Sequence, residues 1–329
     1  MTQTEMNVER AGVDVRQARA TARSIFLHGL AAAAMFVSPL TVFVPAAILS
    51  AGLRNGRKGA WLAIACAAVL LVPIAALLGD ARGGAAVGRM ILEIGVPSAL
   101  ALELMLRGLL FGPVLLGTVV ASFGGSALVE LAMRAAAGFS PYGALVANFR
   151  ATAAKQIEAY RTAGASAEVV GTMERITEAI ATSYMPVLLV VVTILTFALS
   201  LTMLPRLRSG RVLVPQFLFR NLRFPDALLF GFVLGGLAPL ATGPLRTAGF
   251  GLLAIVAFLY VLQGLAVLRA KQVRLRPGIF ATVLGGVLLV LLTPYGITPF
   301  ALFLVGLFDP FFDFRHFNRK EVPHESDSD

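Results

Sequence analysis

Apolar residues along this chain gather in long, nearly unbroken blocks. They do not fall at the spacing of a half-buried helix or alternate as in a surface strand. Eight blocks meet or approach the length of a bilayer crossing: 25–53, 59–79, 90–106, 113–133, 184–204, 227–245, 248–268 and 279–308. The hydrocarbon core of a membrane accepts about 20 apolar residues as a helix. The pattern therefore predicts an all-α, polytopic transmembrane helix bundle. The first block is broken by Ser38-Pro39 and the last by Pro294 to Pro299. Both are expected to fold as short hairpins. A limb of about 14 residues is about 21 Å long, so it must be re-entrant or sheltered by neighbouring helices, because lipid cannot satisfy broken backbone.

The one long polar stretch between blocks, residues 140–183, keeps a helical period: Leu145, Phe149, Ile157 and Tyr160, then Val169, Val170, Met173, Ile176 and Ile180. Ala163-Gly164 separates the two sets, and Ser166 is placed to cap the second with Glu168 in its first turn. This predicts a small amphipathic helical cap outside the membrane, its polar faces carrying Lys155, Glu158, Glu174 and Glu178. The expected organisation is an N-terminal segment 1–24, a transmembrane domain 25–308 that includes the cap, and a tail 309–329. Small residues four apart (Gly29/Ala33, Gly231/Gly235, Ala281/Gly285) would let helices approach closely.

Composition agrees with the pattern. Hydrophobic residues make up 57% and charged residues 14% of the 329, where soluble domains carry about 25% charged. A soluble enzyme, a disordered chain and a disulfide scaffold are excluded, the last also by the single cysteine, Cys66. Charge adds direction. The net +10 is concentrated at Arg54/Arg57/Lys58, at 206–223 and at 269–276, with Arg107 in a fourth turn completed by Gly112-Pro113. The positive-inside rule places these on the cytoplasmic side. With both end blocks read as hairpins, the arginine-bearing termini also fall inside, so both termini are predicted cytoplasmic in an inner (cytoplasmic) membrane. Basic residues interleaved with phenylalanine at Gln216–Pro225 raise nucleic acid as a partner. The stretch directly precedes a span, however, and reads as an interfacial helix with Arg220 and Arg223, like Arg274 and Arg276, at lipid headgroups. The bilayer is the expected partner and nucleic acid is not.

Ionisable or amide groups at membrane depth are candidates for contact with a substrate or ion. Glu93 and Glu103 lie in the third block, each four residues from an arginine (Arg89, Arg107), so either they are interfacial ion pairs or they line a polar cavity. Tyr260 and Gln263 share a face of the seventh block, as helix–helix glue or as ligand contacts. The last span exits with Asp309, Asp313 and Arg315 among phenylalanines, where the acids are expected to pair with Arg315 or with the 269–276 loop. No phosphate-binding loop, nucleophile elbow or metal-ligand cluster is present in the sequence: Gly52 to Lys58 lacks the spacing, and His28, His316 and His324 are scattered. The chain is expected to be no enzyme and to carry no cofactor and no metal. Any active transport would need an energising membrane partner.

The Gly306-Leu-x-Asp309…Asp313-Phe-Arg315 ending, Leu262-Gln263-Gly264-Leu265-Ala266-Val267 and Arg220-x-x-Arg223-Phe-Pro225 together resemble the YybS-like bacterial membrane proteins of unknown function. The resemblance spans most of residues 25–315 and is most specific over the last hundred. It implies an architecture similar to the substrate-capturing subunits of energy-coupling-factor transporters and to a rod-shape membrane scaffold component. Two functions follow as expectations: a non-enzymatic, transport-associated subunit that captures a small solute, or a scaffold in cell-envelope assembly that docks through its cap and basic loops.

Overall fold

The computed structural model describes residues 21–204, 218–240, 242–275, 278–293, 296–312 and 314–315. Helix is the regular structure throughout these residues. Five helical stretches are long and apolar enough to cross a membrane: Pro39–Leu78 (two helices meeting at Gly56), Ala81–Leu106, Phe111–Ala137, Ala167–Met203 and Leu245–Leu275. Two shorter apolar helices, Leu228–Leu240 and Ile297–Phe312, add to them. Many large apolar side chains on the spans are exposed, among them Val69, Leu77, Val120, Leu131 and Val192, as expected where lipid completes the packing. The all-α, multi-pass reading holds. The chain forms two compact units, up to Phe217 and from Leu218. The division falls in the basic stretch between the fifth and sixth apolar blocks, inside what the apolar pattern presents as one domain.

The first unit begins with α1 (21–36), a turn of 3-10 helix at Pro39–Phe43, and α2 (Val44–Leu78). Ser38 caps the turn by accepting from the Leu40 N–H, and the Thr41 hydroxyl lies within bonding distance of the carbonyls of Met35, Phe36 and Ser38. The expected hairpin forms at Ser38-Pro39. Its two limbs run antiparallel, with Asn55 donating to Ser24 Oγ (3.3 Å) and His28 Nε2 3.1 Å from Ser50 Oγ. At Gly56 the chain turns sharply again, with φ 77°. A Cβ placed on Gly52 would lie 3.1 Å from the Cβ of Ala60; eight residues along a straight helix would separate them by about 12 Å. Arg54, Arg57 and Lys58 therefore sit at a tight turn, as their clustering suggested.

The next span starts earlier than its apolar block. α3 (Asp80–Gly88), a π-helical turn (Arg89–Gly95) and α4 (Val96–Leu106) are continuous. The π turn has a local cause. Pro97 has no N–H to give to the carbonyl of Glu93, and Val96 instead bonds back five residues to Ile91. The freed Glu93 carbonyl takes a bond from Ser122 Oγ of α5 (Phe111–Ala137) at 2.6 Å. Gly125 makes this approach feasible, since a Cβ there would collide with the Leu92 carbonyl. Gly108, at φ 80°, turns α4 into α5; Gly112-Pro113 belongs to the first turn of α5 and not to the loop.

The cap is present as α6 (Pro141–Thr162) and α7 (Ala167–Ala179), split at Gly164 with Ser166 accepting from Val169 N–H. Two features differ from expectation. α7 does not stop at the membrane edge: a second π turn (Ile180–Tyr184), again two residues before a proline, Pro186, carries it into α8 (Met185–Met203). The cap acids are not merely solvated. Arg150 grips Glu178 through two bonds (2.6 and 3.0 Å), and Arg161 bridges Glu158 and Glu174. Of the expected inner stripe, Ile157 and Val170 are buried, whereas Tyr160, Val169 and Ile176 are about half exposed; Val146, outside the stripe, is buried against Ala181 and Met185.

The second unit contains α9 (Leu228–Gly236), α10 (Gly243–Leu275), α11 (Ile279–Leu292) and α12 (Ile297–Phe312). The last block breaks where expected, with Gly296 at φ 73°. α12 packs antiparallel on α10 through two reciprocal glycine contacts, Gly264 against the Leu302 carbonyl and Gly306 against that of Tyr260. Of the small-residue pairs, Gly235 meets Leu253 and Gly29 meets Cys66, while the side chain of Ala281 lies outside the described residues.

Candidate functional site

Two polar assemblies stand out, one in each unit. In the second unit, Gln263 of α10 is 1% exposed. Its Oε1 accepts from the Phe224 backbone N–H and its Nε2 donates to the Gly306 carbonyl, both at 3.1 Å. Next to it Arg315 pairs with Asp309 (3.0 Å) and donates to the carbonyls of Arg220 (2.6 Å) and Leu222 (2.5 Å). Arg274 donates to the Arg315 carbonyl at 3.3 Å. The side chains of Arg315 and Asp309 are 8% and 0% exposed. A buried pair held this way is costly to break, about 3–5 kcal/mol for loss of one partner. The assembly fastens the 218–224 strand of chain to α10 and α12. Tyr260, beside it, meets Phe232 and Phe303 edge-on at 6.5 and 6.3 Å.

The 216–225 stretch is thus not an interfacial helix over its described part. It holds a single 3-10 turn, Phe219–Asn221, and Leu222 and Phe224 are buried. The backbone groups that a longer helix would use internally are bound by Arg315 and Gln263 instead. Arg223 and Arg274 are exposed, whereas Arg220 is half-buried and contributes its carbonyl to the assembly. Arg276 and Asp313 lie outside the described residues.

In the first unit a cavity of about 330 Å³ opens between the first π turn, α5, the start of α6 and α8. Apolar walls come from Ile94, Phe123, Leu145, Leu189, Val192 and Phe197; polar groups come from Thr41, Arg89, Glu93, Ser122, Ser126, Glu130, Tyr142, Thr193 and Thr196. Glu93 accepts from Arg89 Nε at 2.9 Å, and its side chain is 16% exposed. Both residues belong to the π turn, whose widened geometry is common at functional sites. On the cavity wall Glu130 joins two helices: Arg134 Nε donates at 2.6 Å, Ser140 Oγ at 2.5 Å and the Tyr142 N–H at 2.8 Å. A carboxylate at the N-terminus of α6 also complements the helix dipole.

Of the sequence candidates, Glu93 alone lines this cavity. Glu103 sits about 15 Å along the same span, ten residues on, where Arg57 (2.8 Å) and Arg107 (2.9 Å) both pair with it. Tyr260, Gln263, Asp309 and Arg315 gather in the second unit. Glu130, Ser122 and Tyr142 escaped the sequence reading. Glu130 and Arg134 carry the same four-residue spacing that drew notice to Glu93, and Ser140-Pro141 is a visible helix start; neither shows that the two meet. Among the described residues no cluster of three or more His, Cys, Asp or Glu side chains suits a metal ion.

A family model described as a predicted membrane protein (DUF2232) matches residues 25–310. No curated protein and no solved structure matches the chain.

Proposed function

The chain belongs to this family of predicted membrane proteins, and within it we propose that the first unit captures a small solute in the cavity beside Glu93. One observation carries the reading: an ion pair, Arg89–Glu93, is held in a π turn on the wall of a cavity of about 330 Å³. Pockets that bind small molecules are mostly apolar with a few convergent polar groups, and begin near about 300 Å³. The span itself is continuous, but its π turn departs from regular helix beside the cavity, which is where irregular backbone is tolerated within a membrane. The protein works as a non-enzymatic, transport-associated subunit in the inner membrane, like the substrate-binding components of energy-coupling-factor transporters, and depends on a membrane partner for energy. The test is to purify the full chain from native membranes, denature it, and identify the small molecules released by mass spectrometry. Wild-type protein releases a defined solute at near-stoichiometric yield, and Glu93→Gln releases at least tenfold less. Equal release from both, or none from either, refutes capture at this site.

A scaffold role in envelope assembly is favoured by a different observation, the half-exposed Tyr160, Val169 and Ile176 on the cap. Under that reading, substitutions on α6 and α7 abolish co-purification of an envelope-synthesis protein and Glu93→Gln does not.

A further inference from the structure

The hydrogen-bonding groups left open in this cavity specify a charge class. Arg89 uses Nε on Glu93 Oε2; among the described residues its two terminal nitrogens and the Glu93 Oε1 make no hydrogen bond to protein. Three hydroxyls nearby have already committed their protons to carbonyls: Ser122 to Glu93 (2.6 Å), Ser126 to Ser122 (3.1 Å) and Thr193 to Leu189 (2.8 Å). Each retains lone pairs that can only accept. The cavity therefore offers a guanidinium fork for an anion and, on the carboxylate bonded to that guanidinium, a free oxygen with hydroxyl acceptors nearby for a donor cation. Glu130, also on the wall, adds no net charge, since Arg134 pairs with it at 2.6 Å while Ser140 and the Tyr142 N–H take up most of its acceptor sites.

Arg89 and Glu93 are paired at 2.9 Å and carry no net charge together, so a pure cation or a pure anion gains from one of them only what it loses to the other. A neutral solute leaves the cavity-facing charged groups, the half-exposed Arg89 fork and Glu93 Oε1, without a partner of opposite charge. A molecule carrying both charges a few ångströms apart satisfies the two together. From this the geometry points to a small zwitterion with an apolar body as the solute: an amino acid, or the ethanolamine-phosphate head of a lipid. This rests on solute capture in the same cavity and adds the class of ligand.

The experiment uses full-length protein in nanodiscs. Binding is measured by calorimetry for the standard amino acids and for glycerophosphoethanolamine, each against its amine-only and acid-only analogue. Discs of phosphatidylglycerol alone are compared with discs that also contain phosphatidylethanolamine. Expected is binding of at least one zwitterion at least tenfold tighter than both of its analogues, with the gap closed in Arg89→Gln and in Glu93→Gln. If the lipid head is the source, small zwitterions bind only in discs lacking phosphatidylethanolamine; a free amino acid as the source gives the same affinity in both discs. Either supports the proposal. The Ser122 strut holds the backbone of Glu93 and not its side chain, so Glu93→Gln keeps the fold, which unchanged thermal unfolding verifies. An amine or an acid binding as tightly as the zwitterion overturns the proposal. If a singly charged or neutral molecule is released on denaturation, capture stands and the zwitterion does not; if nothing is released and no zwitterion binds, both fail.

Discussion

Replacing Gln263 by leucine keeps the volume of a buried side chain but strands two backbone groups. The Phe224 N–H loses its acceptor and the Gly306 carbonyl loses its donor, each from a 3.1 Å bond. If both bonds were average interhelical bonds in a membrane protein, at about 0.6 kcal/mol each, the loss would be about 1 kcal/mol. If both orphaned groups carry a full burial penalty, it approaches about 4 kcal/mol. With Gln263 1% exposed and Phe224 buried beside it, the loss falls in the upper half of that range. Unfolding by SDS titration in mixed micelles, monitored by circular dichroism, measures it. Gln263→Glu supplies an internal check: a carboxylate still accepts from Phe224 but does not donate to Gly306, so if it stays ionised it should lose roughly half as much. A change below about 0.5 kcal/mol in Gln263→Leu would refute the clamp role of this amide.

Two further outcomes follow from the fold and one from the distribution of charge along the sequence. Gly125→Ala pushes α5 off the Leu92 carbonyl and is expected to lower the folded yield on size-exclusion chromatography severalfold, whereas Gly124→Ala, with open space around it, leaves it unchanged. Ser140→Ala removes the cap of α6 and one bond to Glu130; a loss of about 1 kcal/mol should appear as faster hydrogen exchange confined to the first turn of α6. Reporter fusions at both termini should read as cytoplasmic; an N-terminal tag accessible from outside intact cells would refute the orientation drawn from the basic loops.

How much of this was legible in the sequence depends on how local the signal was. The hairpin at Ser38-Pro39, the tight turn among Arg54, Arg57 and Lys58, and the cap split at Gly164 were all read from neighbouring residues, and each lies where it was placed. The continuity of α7 with α8 was missed because hydropathy changes near 184 while the helical hydrogen bonds do not. The three segments that carry the family resemblance, around Arg220, Gln263 and Asp309, turn out to be one packed assembly. Their contacts span about 40 to 95 residues, and no periodicity encodes such a meeting. The cavity was hidden for a similar reason. Its hydroxyls are ordinary Ser and Thr of apolar helices, and only folding collects them around Glu93. Glu93 and Glu103 looked equivalent in sequence, each with an arginine four residues away; a second cation, Arg57, separates them in the structure.

That pair of glutamates offers the most direct test of solute capture in the first unit. Glu93→Gln and Glu103→Gln change the same residue type in the same way, in the same span, one on the cavity wall and one outside it. Solute retained through purification, quantified by mass spectrometry per mole of folded protein, is predicted to fall at least tenfold in Glu93→Gln and to stay at the wild-type level in Glu103→Gln. Equal losses in both variants, or no loss in either, would contradict it.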